Sequence, residues 1–206
     1  MMCKNINIRI NINININMNF KHNDTKFIGE DRSFGGSELF VDLIPKSCWF
    51  SNVRYCVSPE DWNVIRKKVY SRVGYTCECC FVNCIKEKIP IEAHERWSYD
   101  YDTHTQKLIR LVGLCKPCHQ VTHIGLARVN GLEEEALQHL KKVRGFGLVE
   151  LKEHIDMAYA IWSERNQYVW NLDLSLITTN GYKLVNPTEN LKPLERVKIT
   201  SEKLNK

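Results

Sequence analysis

Four of the nine cysteines stand in two Cys-x-x-Cys pairs, Cys77/Cys80 and Cys115/Cys118, with 34 residues between the pairs. Each pair can grip one Zn²⁺ from a tight turn, and two pairs complete the tetrahedral four-thiolate shell of a structural site. Reduced cysteines at chance spacing are the plain alternative, and two regular pairs argue against it. Cys79 and Cys84 leave the first pair open to exchange, while Cys3, Cys48 and Cys56 have no such spacing. His119 follows Cys118 directly and His123 lies four residues on. Pro117 predicts a helix there, which would place both imidazoles on one face, the geometry for a second divalent cation. A finger made of Cys77, Cys80, His119 and His123 competes, but it leaves Cys115 and Cys118 without a role.

The elements that must position these groups are legible in outline. Ile89 to Glu95 reads as a short strand ending in His94, and Lys107 to Val112 as a second strand leading into Cys115. The order is strand, loop, strand, helix. Upstream, Ser58-Pro59-Glu60-Asp61 is a helix start, with a hydroxyl cap, proline at the first helical position and two acids on the positive end of the dipole. Trp62, Ile65, Val69 and Val73 form its apolar stripe and Gly74 stops it. Arg66, Lys67, Lys68 and Arg72 lie off that stripe, where they either track a phosphate backbone or form a solvated face. Downstream, Leu132 to Arg144 predicts a helix with acids first and bases last, and Leu151, Ile155, Ala158, Tyr159 and Trp162 keep helical spacing. Tyr168, Trp170, Leu172, Leu174 and Leu176 alternate strictly, which predicts a C-terminal strand. Trp162 and Trp170 read as core.

On Cys77-x-x-Cys80, His94 and Leu114-Cys115-x-x-Cys118-His119, residues 75–126 resemble the ββα-metal site of HNH endonucleases that carry a zinc ribbon. The flanks, Ser58 to Tyr75 and Gly125-Leu126-Ala127 with the helices beyond, resemble bacterial and phage members of that family. The resemblance implies an α+β fold: a ββα-metal core on a four-cysteine zinc ribbon, with flanking helices. It implies metal-dependent hydrolysis of DNA phosphodiester bonds, as nicking or double-strand cleavage. By position, His94 would be the general base and His119 and His123 would bind the catalytic ion, which is Mg, Mn, Ni or Zn; the ribbon zinc would be structural. Imidazole suits both roles because it is neutral near pH 7. Two positions depart from the family pattern. Ala93 stands where an acid or histidine often ligates the metal, so the gap falls to water, to Asp100 or Asp102, or to a shifted scheme in which His94 binds metal and Glu95 is the base. Arg110 stands where asparagine is expected, and its guanidinium could hold a phosphate oxygen. The alternative function is a non-catalytic zinc-ribbon module that binds nucleic acid.

Charge fits a polyanionic partner. Residues 45–130 hold thirteen Lys/Arg against eight Asp/Glu, whereas 1–44 and 131–206 are each balanced, so the whole excess of +5 sits around the cysteine pairs. The resemblance implies that this partner is DNA, with Arg110, Arg66, Lys67 and Arg72 the expected contacts. No apolar stretch approaches the roughly 20 residues that span a bilayer, and no charged and apolar leader opens the chain. The expectation is a cytoplasmic protein, or a phage-encoded one acting inside its host. Residues 1–25, with alternating Asn and Ile from Asn5 to Asn17, read as low complexity and are expected to be disordered. The nuclease domain is expected over 45–178 and a polar tail over 183–206.

Overall fold

Ser58 accepts the Asp61 amide on its hydroxyl at 3.0 Å, and Pro59 opens helix α2 (Pro59–Arg72). Gly74 follows its end at φ +57°, a left-handed conformation that suits glycine. The computed structural model describes residues 25–49 and 52–185. The Asn-Ile repeat and the tail beyond residue 185 lie outside the described residues. Before α2 comes the one-turn helix α1 (Val53–Cys56), capped by the Asn52 side chain.

Strands β1 (Ile91–Asp100) and β2 (Thr105–Cys115) form an antiparallel hairpin. Both run longer than the sequence predicts, and His94 lies inside β1 rather than at its end. The reason is burial on both faces. Ala93, His94, Glu95, Arg96 and Trp97 are buried in succession, so the alternation that marks a half-exposed strand is absent. One apolar cluster gathers Ile65, Val69, Ala93, Trp97, Leu108 and Leu111. The other gathers Leu39, Val112, Leu114, Val121, Ile124 and Leu140 together with the cysteines. A shift of register between Arg96 and Trp97 bends the hairpin.

Helix α3 (Lys116–Thr122) leaves β2 without a loop, with Pro117 in its first turn. It breaks at His123, and α4 (Ile124–Val129) continues from there. Helix α5 (Glu133–Arg144) carries three glutamates first, then Lys141, Lys142 and Arg144 last, and ends on Gly145 in the left-handed region. Helix α6 (Leu148–Arg165) follows. The predicted C-terminal strand is cut short: β3 (Asn171–Asp173) pairs parallel to β2. There the Asp173 carboxylate accepts the Ser175 amide at 2.7 Å and turns the chain into α7 (Ser175–Thr179). Leu174, Leu176 and Ile177 keep their place in the core from this helix and its start. Among the described residues the fold is α+β, with one three-stranded sheet in the order β1-β2-β3. No described helix is long and apolar enough to cross a membrane.

The segment before residue 45 belongs to this architecture. Phe27, Leu39 and Val41 are buried, and residues 41–46 are strapped to α6. The Val41 amide donates to His154 Nε2 at 3.1 Å, Trp162 Nε1 donates to the Ile44 carbonyl at 3.1 Å, and the Lys46 amide donates to Asn166 at 2.8 Å. Beyond the expected domain end, Leu184 pairs with Val57 in an isolated bridge.

Candidate metal centres

Cys77 and Cys80 lie on the turn after α2, Cys115 ends β2, and Cys118 is in the first turn of α3. Their sulfurs all lie within 4.8 Å of one another, and Cys80 Sγ is 3.5 Å from Cys115 Sγ. A tetrahedral zinc with Zn–S bonds of about 2.3 Å needs sulfurs roughly 3.8 Å apart, so the four are positioned to hold a metal ion and suit structural zinc. The hydrogen bonds that Cys115 and Cys118 give Cys77 pull its thiol down to about 6, toward the thiolate that a metal needs. Cys79 is not part of the cluster: its sulfur faces the Glu38 carbonyl at 3.6 Å and Arg96 at 3.9 Å, and burial pushes its thiol up to about 11. Cys84 likewise turns to the Val82 carbonyl.

Two devices hold the cysteine turn on the hairpin. The Glu78 amide donates to the Gly113 carbonyl at 2.9 Å, and the Glu78 carboxylate accepts the Gly113 amide at 2.7 Å. Gly113 itself is required by close approach: a Cβ there would meet Val73 Cγ2 at 2.9 Å. His139 of α5 brings Nε2 within 3.2 Å of Cys118 Sγ, a contact the sequence did not signal because α5 is a separate element.

Immediately beyond Cys118, a second cluster forms. The ligand nitrogens of His94, His119 and His123 lie within 4.8 Å of one another, and their ring centroids are 4.6–5.3 Å apart, edge to face. The predicted i, i+4 pair, His119 on α3 and His123 at its C-terminal cap, therefore meets the middle of β1. Burial lowers His119 and His123 to about 4 and holds His94 well below the usual imidazole range, with the neighbouring imidazoles adding to the effect on His94 and His123. All three are neutral at pH 7, the state that ligates metal. His94 is 1% exposed and neither of its ring nitrogens has a hydrogen-bond partner among the described residues. Such orphaned buried nitrogens are costly, and a cation between the rings would satisfy one of them. His119 Nδ1 lies 3.1 Å from Glu92 Oε2, which orients its ring in the manner of a carboxylate behind a metal-binding histidine. Glu92 lies two residues before His94 and so shares its strand face; that spacing is the signal that could have found it.

The two clusters are separate, so the mixed finger of Cys77, Cys80, His119 and His123 does not form. Asp100 and Asp102 do not fill the place of Ala93 either. They sit at the far end of the hairpin, where Asp100 accepts the Asp102 and Thr103 amides, about 20 Å along the strand from His94. Glu95 projects toward α1, where it accepts the Val53 amide at 3.0 Å, and burial raises its carboxyl to about 7. A cavity of about 550 Å³ is lined by His94, Glu95 and His123 together, and Asp42, held by Arg165 at 3.1 Å, also faces it.

Two expected DNA contacts are spent inside the protein. Arg110 is 5% exposed and donates to the Phe34 and Gly36 carbonyls and to Glu78, each at 2.9 Å. Arg72 forms a buried two-pronged ion pair with Glu30 at 2.6 and 3.0 Å and also donates to the Leu111 carbonyl. These guanidiniums fasten residues 30–36 to the hairpin and cannot also dock a strand. Lys67 is exposed, and Arg66 is half-buried with a hydrogen bond to Asn63.

No family model matches the chain, and no solved structure matches it. One curated protein, the Zorya protein ZorE of Escherichia coli, is 30% identical over 123 residues, which cover 55% of this chain and 32% of ZorE. The chain thus spans about a third of the length of the curated relative it matches.

Proposed function

We propose that the chain is a metal-dependent HNH endonuclease that hydrolyses DNA phosphodiester bonds, with β1, β2 and α3 as its ββα-metal core and the four cysteines as its zinc ribbon. The observation that carries the proposal is the convergence of three neutral imidazoles, His94 buried and His119 and His123 half-buried, from a hairpin and the helix that follows it. A bound divalent cation at this place supplies a Lewis acid for the scissile phosphate and stabilises the leaving oxyanion. His94, His119 and His123 would hold it, so His94 takes the shifted role of ligand, which would give a partner to one of its two unpartnered nitrogens. Glu95 takes the proton from the attacking water. It faces the same cavity, and a carboxyl near 7 can accept a proton and release it again at neutral pH. The Val53 amide holds one carboxylate oxygen and fixes the direction of the other. Lys67 and Arg66, on the outer face of α2, remain as phosphate contacts. From the likeness to ZorE we infer that the enzyme serves as a Zorya protein.

The test is a plasmid nicking assay in Mg²⁺, Mn²⁺, Ni²⁺ and Zn²⁺ buffers, with metal analysis alongside. Wild type should nick, and His123→Ala should lose about a hundredfold or more while keeping one tight zinc and a folded spectrum. Full nicking by the variant would make His123 a bystander. A wild type that binds DNA but cuts under none of these conditions would return the reading to the non-catalytic module.

A further inference from the structure

The cavity beside His94 and His123 is larger than a metal-held phosphate requires. Its volume of about 550 Å³ falls within the roughly 300–1,000 Å³ of small-molecule sites. Its lining is of three kinds. Tyr159 and Trp162 supply flat aromatic surface. Lys46 lies over the Trp162 ring at 5.6 Å and Arg128 over the Tyr159 ring at 5.1 Å, so cations stand at the exposed margin. At the buried end is Gln106, 1% exposed, whose amide oxygen has no hydrogen-bond partner among the described residues. A buried acceptor left open destabilises the fold, and an apolar side chain of the same shape would avoid that. Gln106 is thus accounted for by something that enters the cavity and donates a hydrogen bond.

We infer that this cavity receives a nucleobase: the base beside the scissile phosphate, swung out of its stack, with adenine the base that fits. The inference rests on the nuclease reading, because His94 and His123 border both the cation and the cavity. Aromatic walls stack a base whatever its identity. A glutamine amide discriminates, since its acceptor and donor together match the N6 amino group and N7 of adenine. At the margin Lys46 meets a flanking phosphate, whereas Arg128 is held by the Glu133 carboxylate at 2.8 and 2.5 Å. Enzymes that draw a base into a pocket accept the loss of stacking and regain it against aromatic side chains. Here the displaced base anchors the strand so that the adjoining phosphate lies at the imidazoles.

The experiment uses the zinc-loaded full chain and two variants. Leu126 is half exposed at the cavity margin, so Leu126→Trp fills the cavity without entering the core. Calorimetric titration with adenosine and thymidine monophosphates in Mn²⁺ reads base binding. Cleavage of duplexes carrying adenine, thymine or an abasic residue beside the mapped cut reads its use. Wild type should bind the adenine nucleotide about tenfold more tightly than the thymine one, and should cut the abasic duplex about tenfold more slowly. Leu126→Trp should lose both effects while retaining its zinc, its melting temperature and its Mn²⁺ binding. Gln106→Met should lose the preference for adenine. If wild type cuts DNA, binds neither nucleotide and is indifferent to the abasic residue, the inference falls and the nuclease reading stands. If it cuts nothing but binds the adenine nucleotide, and Leu126→Trp abolishes that binding, the base site stands and the nuclease reading falls.

Discussion

The two ligand clusters share helix α3, and the adjacent residues Cys118 and His119 belong to different ones. They are closed in different ways. Four thiolates would satisfy a tetrahedral ion entirely, and such an ion would tie together the strand end, helix turn and cysteine turn that supply them. Three imidazoles would leave such an ion open to a further ligand, and two of them, His94 and His123, line a cavity. Ligand number and access, more than ligand strength, separate a centre that holds the fold from one that can act on a substrate.

Removing one thiolate tests the first half of this contrast and should have the largest effect. Cys115→Ser should bring zinc clearly below one per chain and unfold the core, because metal binding of about 10 kcal/mol or more is also folding energy. An unchanged melting curve would remove the structural role. The imidazole centre should instead declare itself through pH. Between about 4 and 6.5 the unfolded histidines bind protons that the buried ones refuse, so stability should rise with pH across this window. Each histidine contributes at most about 1.4 kcal/mol per pH unit. Glu95 opposes them, since its folded carboxyl, raised to about 7, keeps a proton that the unfolded one releases. Denaturation midpoints at pH 4.5 and 6.5 should therefore differ less for His123→Ala than for wild type; equal slopes would show that His123 is not a buried neutral base. Smallest is the effect of Glu92→Gln, which loosens the His119 ring. Mn²⁺ affinity at the imidazoles should fall about tenfold with zinc content unchanged, and a loss of zinc instead would mean that the two centres are not independent.

The sequence made the thiolate centre legible because its ligands come in local pairs, and α2 and α5 legible because their caps and end charges are local too. His119 and His123 were readable for the same reason. What escaped was whatever depends on distant chain. The strand lengths were hidden by burial on both faces of the hairpin. Arg72 and Arg110 looked like surface cations until Glu30, Glu78 and the carbonyls of Phe34 and Gly36 were found around them. Asp42 and Gln106 reach the cavity from segments with no motif of their own.

The strap of residues 41–46 also sets an order of events. Its hydrogen bonds to His154, Trp162 and Asn166 close loops of more than a hundred residues, whereas the hairpin needs only a short turn. Long closures form late, and on the ribosome the strap must wait until α6 has been made. The cysteine turns and the hairpin can assemble in a nascent chain that has no cavity floor, so the metal centres precede the site that would use one of them. Amide exchange at Val41 and Lys46 should accordingly keep pace with α6 and not with β1 and β2.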